Sequence, residues 1–172
     1  NVPGLTIFGN TRSASEVGGD SFDVIAAGAN TFTYVGDVTG HGLPAALIMM
    51  MVNTLIRTYA EVHSSGYDII VNTNRMLKSR IEARRFMTCV LLRWNAQEQR
   101  LYFTGAGHEH IVIFHKNGGL CEVRQTGGIA LGMVPDISKI VREEVLPFEA
   151  GDSVILYSDG ITEAKNMEGE MF

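Results

Sequence analysis

Apolar residues recur along this chain with two different periods, and the switches between them mark its elements. Short runs rich in β-branched and aromatic residues come first, at Leu5–Gly9, Phe22–Ala27 and Thr31–Val35. Gly28, Ala29 and Asn30 separate the last two runs, which predicts a hairpin. The period then lengthens. Pro44 suits the first turn of a helix, and Leu47, Met51, Leu55 and Tyr59 recur every fourth residue beside Ile48, Val52 and Ile56. Gly66 interrupts, and a second helix is predicted from about Tyr67 to Arg84, with Ile70, Leu77 and Ile81 on one face. Strand-like runs return at Met87–Trp94 and Arg100–Thr104, around a turn at Asn95–Gln99. Ile111–His115 and Leu120–Arg124 flank Lys116-Asn117-Gly118-Gly119, and Lys139–Phe148 and Ser153–Tyr157 complete the set. Strands, a helical pair and strands again, without regular β-α-β alternation, indicate an α+β fold with largely antiparallel sheets.

Composition narrows this picture. A chain of 172 residues with no repeat, low-complexity tract or Pro/Gly/Ser linker reads as one domain over 1–172. Hydrophobic content of 45% against 19% charged residues excludes disorder. Subtracting 19 acidic residues from 14 basic ones gives a net charge of -5, which argues against a nucleic-acid partner. The longest apolar run, Leu43 to Val52, falls short of the roughly 20 residues of a membrane span and reads as a buried helix, so no membrane insertion is expected. Asn1-Val2-Pro3-Gly4 offers neither the basic region nor the apolar core of a signal peptide, which leads us to expect a cytoplasmic location. The missing initial methionine points to a piece of a larger regulatory protein. Cys89 and Cys121 have no metal-ligand spacing and sit in apolar runs, so both are expected as buried free thiols. Met49-Met50-Met51 reads as core or interface filler.

The chemistry lies in where certain aspartates fall. Asp37 follows the Thr31–Val35 run and Gly36, and it opens Gly36-Asp37-Val38-Thr39-Gly40-His41-Gly42. Asp159 follows Val154-Ile155-Leu156-Tyr157 in the same way, with Gly160 after it. Asp20 closes Val17-Gly18-Gly19-Asp20 just before a strand. Three aspartates at strand ends, each beside glycine, are suited to converge on one edge of a sheet. Hard cations such as Mg²⁺ and Mn²⁺ take carboxylate, carbonyl and water oxygens. Two such ions roughly 3.5–4 Å apart can activate a water while drawing charge from a phosphoryl group. Glycine lets the backbone approach closely. An aspartate in a turn can equally satisfy nearby N–H groups; the recurrence of the motif favours the metal reading.

In these residues the sequence resembles the bacterial SpoIIE/RsbU-like branch of the PPM (type 2C) serine/threonine phosphatases. The resemblance rests on Glu16-Val17-Gly18-Gly19-Asp20-Ser21-Phe22-Asp23, on Gly36 to Leu47, on Ala106-Gly107-His108, and on Leu156-Tyr157-Ser158-Asp159-Gly160-Ile161-Thr162-Glu163-Ala164. It implies an αββα four-layer sandwich, two antiparallel sheets flanked by helix pairs. It further implies two Mn²⁺ or Mg²⁺ ions, with Asp37 bridging both, Asp20 and the Val38 carbonyl on one, and Asp159 on the other. Metal-activated water would then hydrolyse a phosphoserine or phosphothreonine of a partner protein, without a phospho-enzyme. The implied partner is a STAS-domain anti-sigma-factor antagonist, and the helical pair would serve as a regulatory switch and a homodimer contact. His41 would hand a proton to the leaving serine oxygen, or cap the helix near Pro44, or hydrogen-bond Asp37.

Two departures matter. The family places a further metal-binding aspartate in an Asp-Asp or Asp-Asn step near its C-terminal end, and this chain reaches Phe172 without one. Gly169-Glu170-Met171-Phe172 resembles the segment that leads onward, so truncation is expected. A catalytically silent protein-binding module is the competing reading. The second departure is Gly107-His108-Glu109-His110, where Asn and Pro more often follow the first histidine. His-x-His on a strand would put both rings on one face, as in a soft-metal site; polar packing at a strand start is the simpler role. Arg12 is a candidate phosphate contact or a surface residue. Lys78, Arg80, Arg84 and Arg85 form a solvated helix face or greet an acidic partner.

Overall fold

The hairpin forms as its turn residues require. β1 (Ser21–Ala27) and β2 (Asn30–Val38) pair antiparallel across Gly28, which takes the left-handed φ of +61°. In this computed structural model, which describes residues 2–12, 18–82 and 84–171, α1 (Leu43–Val62) and α2 (Gly66–Lys78) follow. Then come β3 (Met87–Asn95), β4 (Arg100–Ala106), β5 (Ile111–His115), β6 (Leu120–Arg124), β7 (Glu143–Leu146) and β8 (Ser153–Ile155), and a short α3 (Asp159–Thr162). Glu16, Val17 and Phe172 of the motifs above lie outside the described residues.

Both sheets are antiparallel. The larger has the order β1-β2-β3-β4-β7, and the smaller β6-β5-β8. Side chains alternate across β3. Cys89 and Leu91 join Phe32 and Tyr34 beneath the helix pair, while Val90, Leu92 and Trp94 meet Ile111 and Ile113 of the smaller sheet. Helix pair, large sheet and small sheet are therefore three successive layers. Each buried Phe or Leu contributes roughly 1.5–3 kcal/mol. The outer face of the small sheet carries exposed Phe114, Val123 and Ile155. Among the described residues no second helix pair covers that face, so of the four layers implied by the resemblance three are seen.

Several sequence expectations shift. On α1 the fully buried face is Ala45, Ile48, Val52, Ile56 and Ala60, and Leu47 is exposed. The small residues decide this, because alanines let the helix lie close to the sheet. At 20 residues α1 is long and apolar enough to cross a membrane by length and composition alone, and its Ala45, Ile48, Val52, Ile56 and Ala60 face is buried in the core, as read for Leu43–Val52. α2 stops at Lys78, where the Arg80 and Ile81 N–H groups close a turn onto the Leu77 carbonyl, and the Ile81 side chain packs over Gly132. Leu5–Gly9 is not a strand: it pairs with neither sheet, and its segment is pinned instead by Trp94 Nε1–H donating to the Pro3 carbonyl at 2.9 Å. The Lys139–Phe148 run pairs only over Glu143–Leu146, because Ile137 to Val141 turn back to bury those two residues under the helices. Cys89 is buried, its thiol pushed up to about 12, but Cys121 is exposed on the uncovered face of β6.

One polar cluster ties the layers together. Arg93 donates through Nε to Glu143 Oε1 at 3.0 Å and through Nη2 to Oε2 at 2.8 Å. Glu143 Oε1 also accepts the Gly66 N–H at 2.6 Å, so one carboxylate joins β7, β3 and the start of α2. Gly66 must be glycine there: a Cβ would stand 2.7 Å from Thr104 Oγ1.

Candidate active site

Asp20 and Asp37 lie beside β1 and in β2 of the larger sheet, and Asp159 follows β8 of the smaller one, near enough for its charge to act on Asp37. Asp37 is the penultimate residue of β2, opposite Thr88 of β3. The strand outruns the Val35 limit read from sequence because Gly36 to Val38 stay paired with Met87 to Cys89. Asp20 immediately precedes β1, and Asp159 opens α3.

Gly19 lets Asp20 come close. A Cβ there would lie 2.8 Å from the Val38 carbonyl oxygen and 3.3 Å from Asp37 Oδ1. Asp20 Oδ1 is buried with no hydrogen-bond partner among the described residues, a costly state for a carboxylate unless a cation or donor meets it. Asp37 has its pKa raised to about 6, first by burial and then by the charges of Asp20 and Asp159. Desolvated like charges beside a carbonyl are a donor set that a hard divalent ion could satisfy. Asp20, Asp37 and the Val38 carbonyl fit such an ion. Asp159 is exposed and is coupled to them through charge; among the described residues no three His, Cys, Asp or Glu side chains close into one cluster. Gly19→Ala should therefore displace Asp20 and weaken Mn²⁺ binding roughly tenfold, read by calorimetric titration; an unchanged isotherm would show that the close approach is not needed.

The histidines separate. His41 is exposed in the turn before α1 and makes no hydrogen bond to Asp37 or to the helix among the described residues. His108 and His110 lie on the connection between β4 and β5, not on a strand. Both ring nitrogens of His108 are taken, Nδ1 by Thr88 Oγ1 and Nε2 by the Tyr157 carbonyl, each at 3.0 Å. That leaves no donor for a soft metal. Burial lowers the His108 pKa, so the ring is neutral at pH 7.

The basic residues also sort themselves. Arg85 is not on a helix face: it lies in the segment before β3, with Nη1 3.6 Å from where a Cβ on Gly40 would stand. Its one ion pair among the described residues, to exposed Glu82, is 3.9 Å long. The β2–β3 register explains this, since Asp37 faces Thr88 and Thr39 N–H bonds the Phe86 carbonyl, bringing Arg85 to Gly40. Arg12 is exposed.

With this geometry in view, residues 27–172 match the family of Stage II sporulation protein E, SpoIIE. The chain belongs to the SpoIIE family. Phosphoserine phosphatase RsbU of Bacillus subtilis is 26% identical over 156 residues, covering 91% of this chain and 46% of its own length. The PP2C phosphatase domain of SpoIIE from Bacillus subtilis superposes with a TM-score of 0.72 at 22% identity, over 87% of this chain and 43% of that one. RsbX in complex with magnesium gives 0.69 at 21%, over 86% and 69%. The two-sheet, helix-flanked fold is thus the SpoIIE family's. The chain spans less than half the length of the curated RsbU relative.

Proposed function

We propose that this chain is the catalytic domain of a metal-dependent phosphatase acting on a phosphoserine or phosphothreonine of a partner protein. The observation that carries the reading is the orphaned, buried Asp20 Oδ1, whose carboxylate is near enough for its charge to raise Asp37, next to a glycine packed against Asp37 and the Val38 carbonyl. Membership of the SpoIIE family, a relative named phosphoserine phosphatase and a similar fold solved with magnesium support it. When bound, Mn²⁺ or Mg²⁺ would supply charge neutralisation at phosphorus and lower the pKa of a water for attack. In this reading Asp20, Asp37 and the Val38 carbonyl hold one ion, and Asp37 with Asp159 the second. Arg85 draws the phosphoryl oxygens toward the Gly40 turn, and His41 hands a proton to the leaving oxygen. A STAS-domain anti-sigma-factor antagonist is the proposed substrate, with the helix pair as the regulatory and dimerising surface.

Release of phosphate from a phosphoseryl protein by the intact protein should stop on chelation with EDTA and return with Mn²⁺ or Mg²⁺. Release that survives chelation would overturn the metal reading. The exposed Asp159 favours a second reading, a silent binding module, which no release under any metal would support.

A further inference from the structure

Asp159 sits on a thinly supported segment. β8 is three residues long and among the described residues pairs only with β5, and α3 is four residues, all exposed. Beyond β8, the backbone bonds of residues 158–163 are local ones, Ile161 N–H to Ser158 and Glu163 N–H to Asp159. Leu156 contributes apolar packing, yet something must hold the chain where it turns toward Asp37.

The imidazole of His108 bridges this gap. Tyr157, two residues before Asp159, offers a carbonyl that can only accept, so His108 Nε2 carries the hydrogen. A neutral ring then accepts at Nδ1 from the Thr88 hydroxyl. Thr88 is the register partner of Asp37 on β3. The histidine itself is held on both sides: Thr126 Oγ1 donates to its carbonyl at 2.6 Å, and Gly107 N–H donates to the Gly127 carbonyl at 2.8 Å. We infer that His108 is a positioning residue, one imidazole that fixes Asp159 relative to Asp37 by holding Tyr157 on one nitrogen and Thr88 on the other. The role assumes the proposed shared use of Asp37 and Asp159; the ring touches neither ion nor substrate.

The substitutions separate the two ends of the bridge. His108→Asn can still meet Thr88 but is too short for Tyr157, whereas His108→Gln reaches Tyr157. Amide hydrogen exchange over residues 156–163 is the readout, because a merely structural histidine would loosen the whole domain. In His108→Ala and His108→Asn, exchange there should quicken by about tenfold, as one lost hydrogen bond delivers, with β2 and β3 amides unchanged. Mn²⁺ affinity should fall roughly tenfold in the same two variants, and His108→Gln should recover most of both. Uniform acceleration across the chain, or an unchanged segment in His108→Asn, overturns the inference. Should His108→Ala fail to fold, His108→Asn against His108→Gln decides alone. Exchange needs no turnover, so local release in a chain that frees no phosphate would sink the phosphatase reading and leave the bridge standing.

Discussion

Asp37→Asn should lower phosphate release from a phosphoseryl protein by roughly a thousandfold, the rate equivalent of losing several kcal/mol of metal-borne charge stabilisation. The loss should not come from unfolding. Asp37 has a folded pKa raised from 3.8 to about 6 by burial and by its aspartate neighbours. A raised carboxylate favours the fold while protonated; that contribution is complete below the ordinary value and lost as pH rises through about 6. Asparagine does not ionise and escapes the loss. Without metal, Asp37→Asn should melt above the wild type near about pH 8 and beside it near about pH 4. A variant that is inactive and also less stable at the higher pH would point to a structural role instead.

Glu143→Ala should be the most damaging single change to the fold. It leaves the Arg93 guanidinium buried without its partner, with that side chain only 10% exposed, and it frees the Gly66 N–H at the start of α2. Removing one member of a buried pair costs roughly 3–5 kcal/mol, or on the order of 10 °C in Tm at this chain length. Urea unfolding measures it. Glu143→Gln keeps one acceptor oxygen for the Gly66 N–H and Arg93 Nε while losing the acceptor that meets Arg93 Nη2, and should lose less. A cost under about 1 kcal/mol for Glu143→Ala would mean that Asn30, which also accepts from Arg93, suffices.

Glu143 was invisible in the sequence, and the reason is general to this molecule. Asp20, Asp37 and Asp159 were legible because each announces itself locally, between a strand and a glycine. The hairpin, the helical pair and the run of later strands were legible through their periods. Contacts across the β2–β3 pairing were not, because two helices intervene between those strands and nothing local sets their register. Sequence alone therefore puts Arg85 on a helix face, whereas α2 ends at Lys78 and pairing brings Arg85 to Gly40. Register equally hid Thr88 behind Asp37, and with it the work of His108. Leu5–Gly9 had strand composition but no strand beside it. Cys121 had apolar neighbours, yet β6 turns it toward a face that no layer covers among the described residues. On α1 two adjacent apolar stripes competed, and Ala45 and Ala60 chose between them by allowing close approach.

Asp37, with Asp20 and the Val38 carbonyl, is proposed to hold a divalent ion at this sheet end. Calorimetric titration of the intact protein with Mn²⁺, wild type against Asp37→Asn, tests it most directly. Saturable binding is expected in the wild type, with a loss of at least about tenfold in affinity for the variant. Indistinguishable isotherms would contradict it.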